Sequence, residues 1–318
     1  MKAIKALTFG EILFDIINGS AHLGGAPLNL AAHLAKLGET RGAKTEAKTG
    51  TKTAVISAVG KDELGTELLN KAKQLGIDTS YIFVDERRPT GTVSVELNDE
   101  GIPNFKIHEN VAWDAIKLDS EKTDVLVAEE WDVFCFGTLA QRSEVNIKTL
   151  WRLLPVIRAK HLFYDVNLRP GFYEKEWIET SLAFADIVKM NSEEATIISG
   201  LLFNKNHAGK ELCSLLVEKY PGITLICITK GAGGAAVFHN ENNCGDYEEI
   251  KTTSIEVADT VGAGDAFSAG FLYAYFLGCN VSDAASFACV IGTYVASKPG
   301  SVPEYSNEII EKLGGIKH

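Results

Sequence analysis

Metal-ligating cysteine spacing, surplus positive charge and long apolar runs are all missing from this chain. Its six cysteines, at positions 135, 213, 227, 244, 279 and 289, include no C-x-x-C pair and no other spacing that metal sites use. Most sit in apolar runs, where a free cysteine behaves as a small hydrophobe, so a reducing, cytoplasmic setting is expected. Lys and Arg number 31 against 42 Asp and Glu, a net charge of −11. That balance argues against a broad nucleic-acid or anionic-membrane surface and still permits a local positive pocket. No apolar run approaches the length needed to span a bilayer. Lys2 and Lys5 precede an apolar run, as in a secretory signal. Glu11 and Asp15 interrupt that run and no small-residue cleavage site follows, so it reads as a strand.

What is present is the composition of a folded protein: 318 residues, 46% hydrophobic and 23% charged. That length holds one large α/β domain, or one with a small appendage. Residues 3–17 begin as a buried strand (Ile4, Ala6, Leu7, Phe9). Asp15 stands just past its apolar part, where α/β sheets place ligands; taken locally it is a solvated loop acid. Leu23–Asn29 then opens a helix with Pro27 in the first turn, a stripe of Leu30, Leu34 and Leu37, and Gly38 as its end. Asn29 lies off that stripe with His33 and Lys36. Beside it, Gly24 and Gly25 either let a ligand approach the backbone or form an ordinary loop. Residues 39–53 are polar, lack hydrophobic periodicity and read as an exposed, mobile loop.

A strand at 54–59 and an amphipathic helix at 62–75 follow. Residues 92–97 alternate cleanly, Asn98–Gly101 make a turn, and alternation resumes at Phe105 and Ile107. Such a hairpin falls outside a βαβ rhythm. It suggests a small sheet standing away from the main one as a lid, built from about 11–23 and 85–113. From Trp131 the rhythm becomes regular: strand 131–136, helix 143–159, strand 161–166, helix 174–184, strand 186–190, a short helix from Ser192, helix 207–219 and strand 223–229. Regular βα alternation implies a parallel sheet covered by helices on both faces.

Two strand ends carry polar clusters, Asp165-Val166-Asn167-Leu168-Arg169 and Asn191-Ser192-Glu193-Glu194. In the second, Asn191 could simply cap a helix with Glu194 at its third position. Thr229-Lys230-Gly231-Ala232-Gly233-Gly234 imitates a dinucleotide fingerprint, but residues 236–240 read as a strand where that fingerprint requires a helix. A Rossmann dehydrogenase site is therefore rejected here and a glycine hairpin lying over a nucleotide remains open; a dehydrogenase as such is the possibility that absence of nicotinamide binding would close.

Val257–Phe271 reads as a strand end, a glycine turn and a helix whose first turn carries Asp265. Helix-start N–H groups have no intrahelical partner and the dipole there favours negative charge, so this is an anion site. A carboxylate beside an anion hole is what phosphoryl transfer to a hydroxyl needs. A plain strand–turn–helix with a favourable first-turn acid accounts for the same residues.

Taken together, these segments resemble the ribokinase-like (PfkB) carbohydrate kinase family over nearly the whole chain. Asp259-Thr260-Val261-Gly262-Ala263-Gly264-Asp265-Ala266-Phe267 matches its D-T-x-G-A-G-D-x-F signature. Gly24-Gly25 with Asn29 matches its sugar-binding motif, Gly60-Lys61-Asp62 with Gly65 its G-x-D-x-x-G, and Asn191 with Glu194 its N-x-x-E. The resemblance implies a single three-layer αβα domain over 1–318 with a mainly parallel sheet and a β-sheet lid. It implies that Asp15, Gly24, Gly25 and Asn29 bind sugar hydroxyls, that Asp265 is the general base, and that the N–H groups of Gly262, Ala263 and Gly264 form the anion hole. By the same carry-over, Asn191 and Glu194 position Mg²⁺ and phosphate largely through water, and Thr229, Gly231 and Gly234 border ATP. The Asp259 and Val261 carbonyls, with the loop 296–301, match the positions of a monovalent cation such as K⁺.

Within the family, the Gly24–Asn29, Pro89–Thr92, His108–Asp114 and Phe136–Ser143 segments look most like bacterial fructokinases. Arg169 resembles a residue that fructokinases and 2-keto-3-deoxygluconate kinases both place near substrate and phosphate. The implied reaction is ATP-dependent phosphorylation of a primary hydroxyl, with fructose giving fructose 6-phosphate. 2-Keto-3-deoxygluconate, ribose or a nucleoside are the alternative acceptors, and a non-catalytic sugar sensor is the alternative class. Two features depart from the family pattern. The 39–53 loop looks long, and Cys289 replaces an asparagine that many relatives place near the nucleotide base. The exposed edges of a hairpin lid could pair with a second copy to form a homodimer.

Overall fold

In the computed structural model, which describes residues 3–17, 19–45, 50–97, 103–241, 244–252, 258–306, 309 and 311, the first apolar segment breaks in two. Gly10, at φ +146°, ends β1 (Lys5–Phe9), and the chain restarts as β2 (Leu13–Ile17) in a different sheet. This corrects the single-strand reading and puts Asp15 inside a strand, opposite His22 of β3 (Ser20–Gly24). The helix α1 (Ala26–Thr45) then runs well past Gly38. Gly38 is not its end. A Cβ there would lie 2.5 Å from the Thr51 backbone nitrogen, so the glycine lets the returning chain pass close to the helix. Residues 39–45 are therefore helical, not loop, and 46–49 lie outside the described residues.

β4 (Lys52–Gly60) returns beside β1, and α2 (Glu63–Gln74) starts at Asp62, whose Oδ1 accepts from Gly65 N at 2.7 Å. Asp62 also accepts from Thr90 N (2.8 Å) and Thr90 Oγ1 (2.6 Å). The G-x-D-x-x-G motif thus fastens the root of the small sheet to a helix cap. β5 (Ile77–Asp78) and β6 (Ile82–Asp85) extend the large sheet; β7 (Gly91–Leu97) and β8 (Pro103–Ile107) form the expected hairpin, its Asn98–Gly101 turn lying outside the described residues. After α3 (Ser120–Ala128), which the sequence reading missed, come β9 (Trp131–Gly137), α4 (Glu144–Leu153), β10 (Ala159–Asp165), α5 (Lys175–Phe184), β11 (Ile187–Asn191), α6 (Ser192–Phe203), α7 (Gly209–Lys219) and β12 (Leu225–Thr229). α4 stops six residues before the expected position: Leu154 keeps helical geometry, but Pro155 after it has no N–H to continue the hydrogen-bond ladder. α6 is longer than expected and closes at Asn204 in the left-handed region, φ 55°. β13 (Ala235–Glu241), β14 (Cys244–Ile250), α8 (Ala263–Phe276) and α9 (Val281–Ala296) complete the order.

The large sheet runs β14-β13-β12-β11-β10-β9-β1-β4-β5, with β6 also paired to β4. It is parallel from β12 to β5, and β13 and β14 add an antiparallel edge. Strand side chains alternate in direction, so each strand feeds two cores. Phe134, Phe136, Val188 and Ile226 pack with Leu150, Ile178, Ile198 and Leu216 of α4–α7. Val133, Cys135, Ile187 and Leu225 pack with Leu34 of α1 and with Phe271, Leu272, Ala288 and Ile291 of α8 and α9. Each large apolar side chain so buried stabilises the fold by about 1.5–3 kcal/mol relative to exposure. The result is the expected three-layer αβα sandwich. The second sheet, β3-β2-β7-β8, stands separately with β2 and β7 parallel at its centre. No helix among the described residues is long and apolar enough to cross a membrane.

Candidate active site

Parallel strands end on one edge of a sheet, and polar residues placed there converge. Glu11 follows β1, Asp165 ends β10, Asn191 ends β11 and Thr229 ends β12, with Asn191 and Thr229 in register. α8 starts at the same edge. Its cap, Gly262, sits at φ 78°, ψ −8°, and a Cβ there would lie 2.6 Å from the Ser301 carbonyl oxygen. Both the left-handed backbone and the close approach require glycine. Ala263 N–H makes a long bond to the Thr260 carbonyl at 3.3 Å.

Asp265 occupies the first turn of α8 and accepts a hydrogen bond from Asn29 Nδ2 at 2.8 Å. Asn29 is buried, and its Oδ1 has no hydrogen-bond partner. An acceptor left open beside a carboxylate suits a ligand hydroxyl. Burial, reinforced by the neighbouring Asp165, pushes the Asp265 carboxyl up to about 6; Asn29, Lys189 and Arg169 pull the other way. Glu11 is buried and is pushed up to about 7, mainly by burial and further by Asp265, while hydrogen bonds from its own backbone and from Ala26, with Arg169, oppose the rise. Asp15 is raised by burial and by Asp259, against Arg169 and His22. Arg169, exposed at the rim, therefore faces Glu11, Asp15 and Asp265 together.

Gly24 and Gly25 lie between these acids. A Cβ on Gly24 would come within 2.5 Å of Asp15 Oδ2, and Gly25, at φ +107°, abuts the Glu11 backbone. The off-stripe face of α1 is buried throughout its first turns: Asn29 meets Asp265, and His33 lies 2.9 Å from the Ser301 carbonyl and 2.8 Å from Tyr305 Oη. Burial holds the His33 imidazole down near 4, so it stays neutral and braces the loop against Gly262.

Asn191 and Glu194 form a reciprocal cap on α6, with Glu194 N donating to Asn191 Oδ1 (2.8 Å) and Asn191 N to Glu194 Oε2 (2.7 Å). Glu194 Oε1 also accepts from Leu168 N at 3.0 Å, next to Arg169. Capping, the plain reading, is what the geometry contains. Each carboxylate oxygen keeps a further lone pair, so the pair fits a hard cation met through water better than one bound directly. Among the described residues no cluster of three or more His, Cys, Asp or Glu could hold a metal by itself. Gly231 and Gly234 lie in a tight turn joining β12 to the antiparallel β13, so the expected glycine hairpin is present and no helix follows it. Asp259 N bonds the Ala296 carbonyl at 3.1 Å and Asp259 Oδ1 accepts from Val261 N at 2.9 Å, which places that segment against the 296–301 loop. Cys289 is buried in the α9 core. Val257 lies outside the described residues.

Three features escaped the sequence reading. Glu11 served there only to exclude a signal peptide. Lys189 is a buried cation in the otherwise apolar run Ile187–Met190, and that incongruity was its visible signal. Arg142 donates to Asp114 (2.8 and 2.9 Å) and to the His108 carbonyl (2.6 Å), with its guanidinium stacked between Trp113 and Phe172. It ties the exit of β8 to the loop that carries Arg169.

A half-buried acid at a glycine-turned helix start, on the strand-end edge of an αβα sandwich, is an arrangement suited to phosphoryl transfer. The model of the pfkB family carbohydrate kinases matches residues 6–307, and the chain belongs to that family. A fructokinase of Escherichia coli is 31% identical over 282 residues, covering 84% of this chain and 83% of that one. Among solved structures, an uncharacterized sugar kinase of Pyrococcus horikoshii in complex with ATP superposes with TM-score 0.77 at 24% identity, covering 98% of this chain and 100% of that one. A Vibrio cholerae fructokinase in fructose-, ADP- and calcium-bound form gives TM-score 0.77 at 19% identity and 98% coverage of each. The protein is thus a carbohydrate kinase of ribokinase-like fold.

Proposed function

We propose that this kinase transfers the γ-phosphoryl group of ATP to a primary hydroxyl of fructose, giving fructose 6-phosphate. The observation that carries the reading is Asp265: a carboxyl in the first turn of a helix, held by Asn29 and raised to about 6, a value suited to a base working near neutral pH. In this reading Asp265 takes the hydroxyl proton as the oxygen attacks in line. The N–H groups of Gly262, Ala263 and Gly264 stabilise the charge on the transferred group, Ala263 giving up its long bond to Thr260. Asp15, Asn29 and the Gly24–Gly25 backbone hold the sugar, with Asn29 Oδ1 accepting from a hydroxyl.

The turn Thr229–Gly234 borders the adenine nucleotide. Mg²⁺, when bound, neutralises phosphate charge; Asn191 and Glu194 would hold it through water, and the Asp259–Val261 segment offers carbonyls to K⁺. The small sheet closes over the sugar as a lid and excludes water, and its edge strands β3 and β8 offer a homodimer contact that a sizing measurement checks.

Fructose is favoured over an acid sugar by charge. A substrate carboxylate would meet Glu11, Asp15 and Asp265, opposed by Arg169 at the rim, by His22 beside Asp15 and by Lys189, which is already paired with Asp165. The bacterial fructokinase likeness supports the same choice. The test is ADP release across fructose, 2-keto-3-deoxygluconate, ribose and a nucleoside. Turnover on fructose far above the others supports the proposal, and sugar binding with no ATP turnover would make the protein a sensor.

A further inference from the structure

Below the glycine turn lies an ion pair to which the reaction just described gives no task. Lys189 of β11 and Asp165 of β10 are register partners, and Lys189 Nζ lies 3.1 and 3.2 Å from the two carboxylate oxygens. Their side chains are only 7% and 11% exposed. Ser268, one turn beyond Asp265 on α8, donates from Oγ to Asp165 Oδ2 at 3.2 Å. A Cβ on Gly264 would sit 3.2 Å from Lys189 Nζ, so the ammonium presses against the backbone of the first turn of α8. Buried ion pairs are weak stabilisers, because desolvation offsets most of their attraction. The backbone ladder already joins β10 to β11. The placement under the turn is what needs a reason.

We propose that Asp165 and Lys189 are positioning residues for catalysis: two opposed charges, fixed under the helix start, that set the proton affinity of Asp265. The inference rests on reading Asp265 as the base. The charged groups facing Asp265 are Glu11 from the loop after β1, Asp165 from β10, Arg169 from the loop after it, and Lys189 from β11, with Asn29 donating from α1. Asp165 favours the protonated form of Asp265, and Lys189 and Arg169 favour the carboxylate. Paired, the two buried charges largely cancel. Removing either alone unbalances Asp265, in opposite directions.

The experiment is the pH profile of kcat/KM for Asp165→Asn, Lys189→Met and the double variant, with folding checked by circular dichroism. Asp165→Asn leaves the lysine unopposed and should move the acid limb down by roughly one pH unit. Lys189→Met leaves two facing carboxylates to share protons and should move it up by a similar amount. The double variant should lie close to the wild type. Opposite displacements cannot come from lost stability, and either single variant suffices if the other does not fold. Limbs that move the same way in both variants, or that stay fixed while the titration of Asp265 is also undisplaced, overturn the proposal. The titration of Asp265 itself, followed by its carboxyl carbon NMR signal and assigned with Asp265→Asn, separates the two ideas. A displaced titration with an unmoved rate profile keeps the pair's role and removes Asp265 as base; an undisplaced titration removes the pair's role.

Discussion

Asn29 Nδ2 donates to Asp265 Oδ2 at 2.8 Å, joining the first turn of α1 to the first turn of α8 across 236 residues of sequence. The bond stabilises the carboxylate form of Asp265, orients it, and leaves Asn29 Oδ1 free for a ligand. Asn29→Leu should therefore lower kcat/KM roughly 10- to 100-fold, the worth of a hydrogen bond to a charged group. Its acid limb should move to higher pH, since the lost donor favoured the charged form. Full activity with an unmoved limb would count against the contact.

Glu11 supplies a stability test. Its folded value, about 7, lies above the ordinary 4.5. A carboxyl raised by folding binds its proton more tightly in the folded state, so stability falls as pH rises from 4.5 to 7 and the penalty is complete above 7. Glu11→Gln should then be more stable than the wild type above pH 7, by roughly 3 kcal/mol, with the gap closing below pH 4.5. Urea denaturation at pH 4.5 and 8 measures both ends; an equal gap at the two would contradict the assignment.

Gly262→Ala should cost about 1–2 kcal/mol for its left-handed backbone, beyond which its Cβ meets Ser301. If the turn forms the anion hole, kcat should fall on the order of 10²-fold with sugar KM little changed. A loss confined to KM would assign the turn to binding.

Arg142→Met should destabilise by about 3–5 kcal/mol, because Asp114 would keep a buried charge without its cation. The linkage from the β8 exit to the Arg169 loop would loosen with it. Hydrogen exchange at 107–114 and 168–173 should rise together; a change confined to one segment would show that Arg142 does not join them.

Much of this was legible in the sequence. The βα rhythm from Trp131 onward gave the parallel sheet, because fully buried strands and amphipathic helices differ in period. Asp15, Asn29, Arg169 and Asp265, scattered along the chain, do share one electrostatic neighbourhood. The failures were tertiary. Gly38 reads locally as a helix stop, yet it is there for Thr51. Asp15 reads as a loop acid because nothing local reveals that Gly10 sends the chain into a second sheet. Glu11, Asp165 and Lys189 acquire meaning only when strand ends from distant segments meet, which period and capping signals do not encode.

The most direct measurement is single-turnover ATP hydrolysis and fructose 6-phosphate formation by the wild type and Asp265→Asn, with fructose saturating. The account predicts that the variant binds fructose and ATP but forms product about 10²–10⁴-fold more slowly. Product formation by Asp265→Asn at the wild-type rate would contradict it.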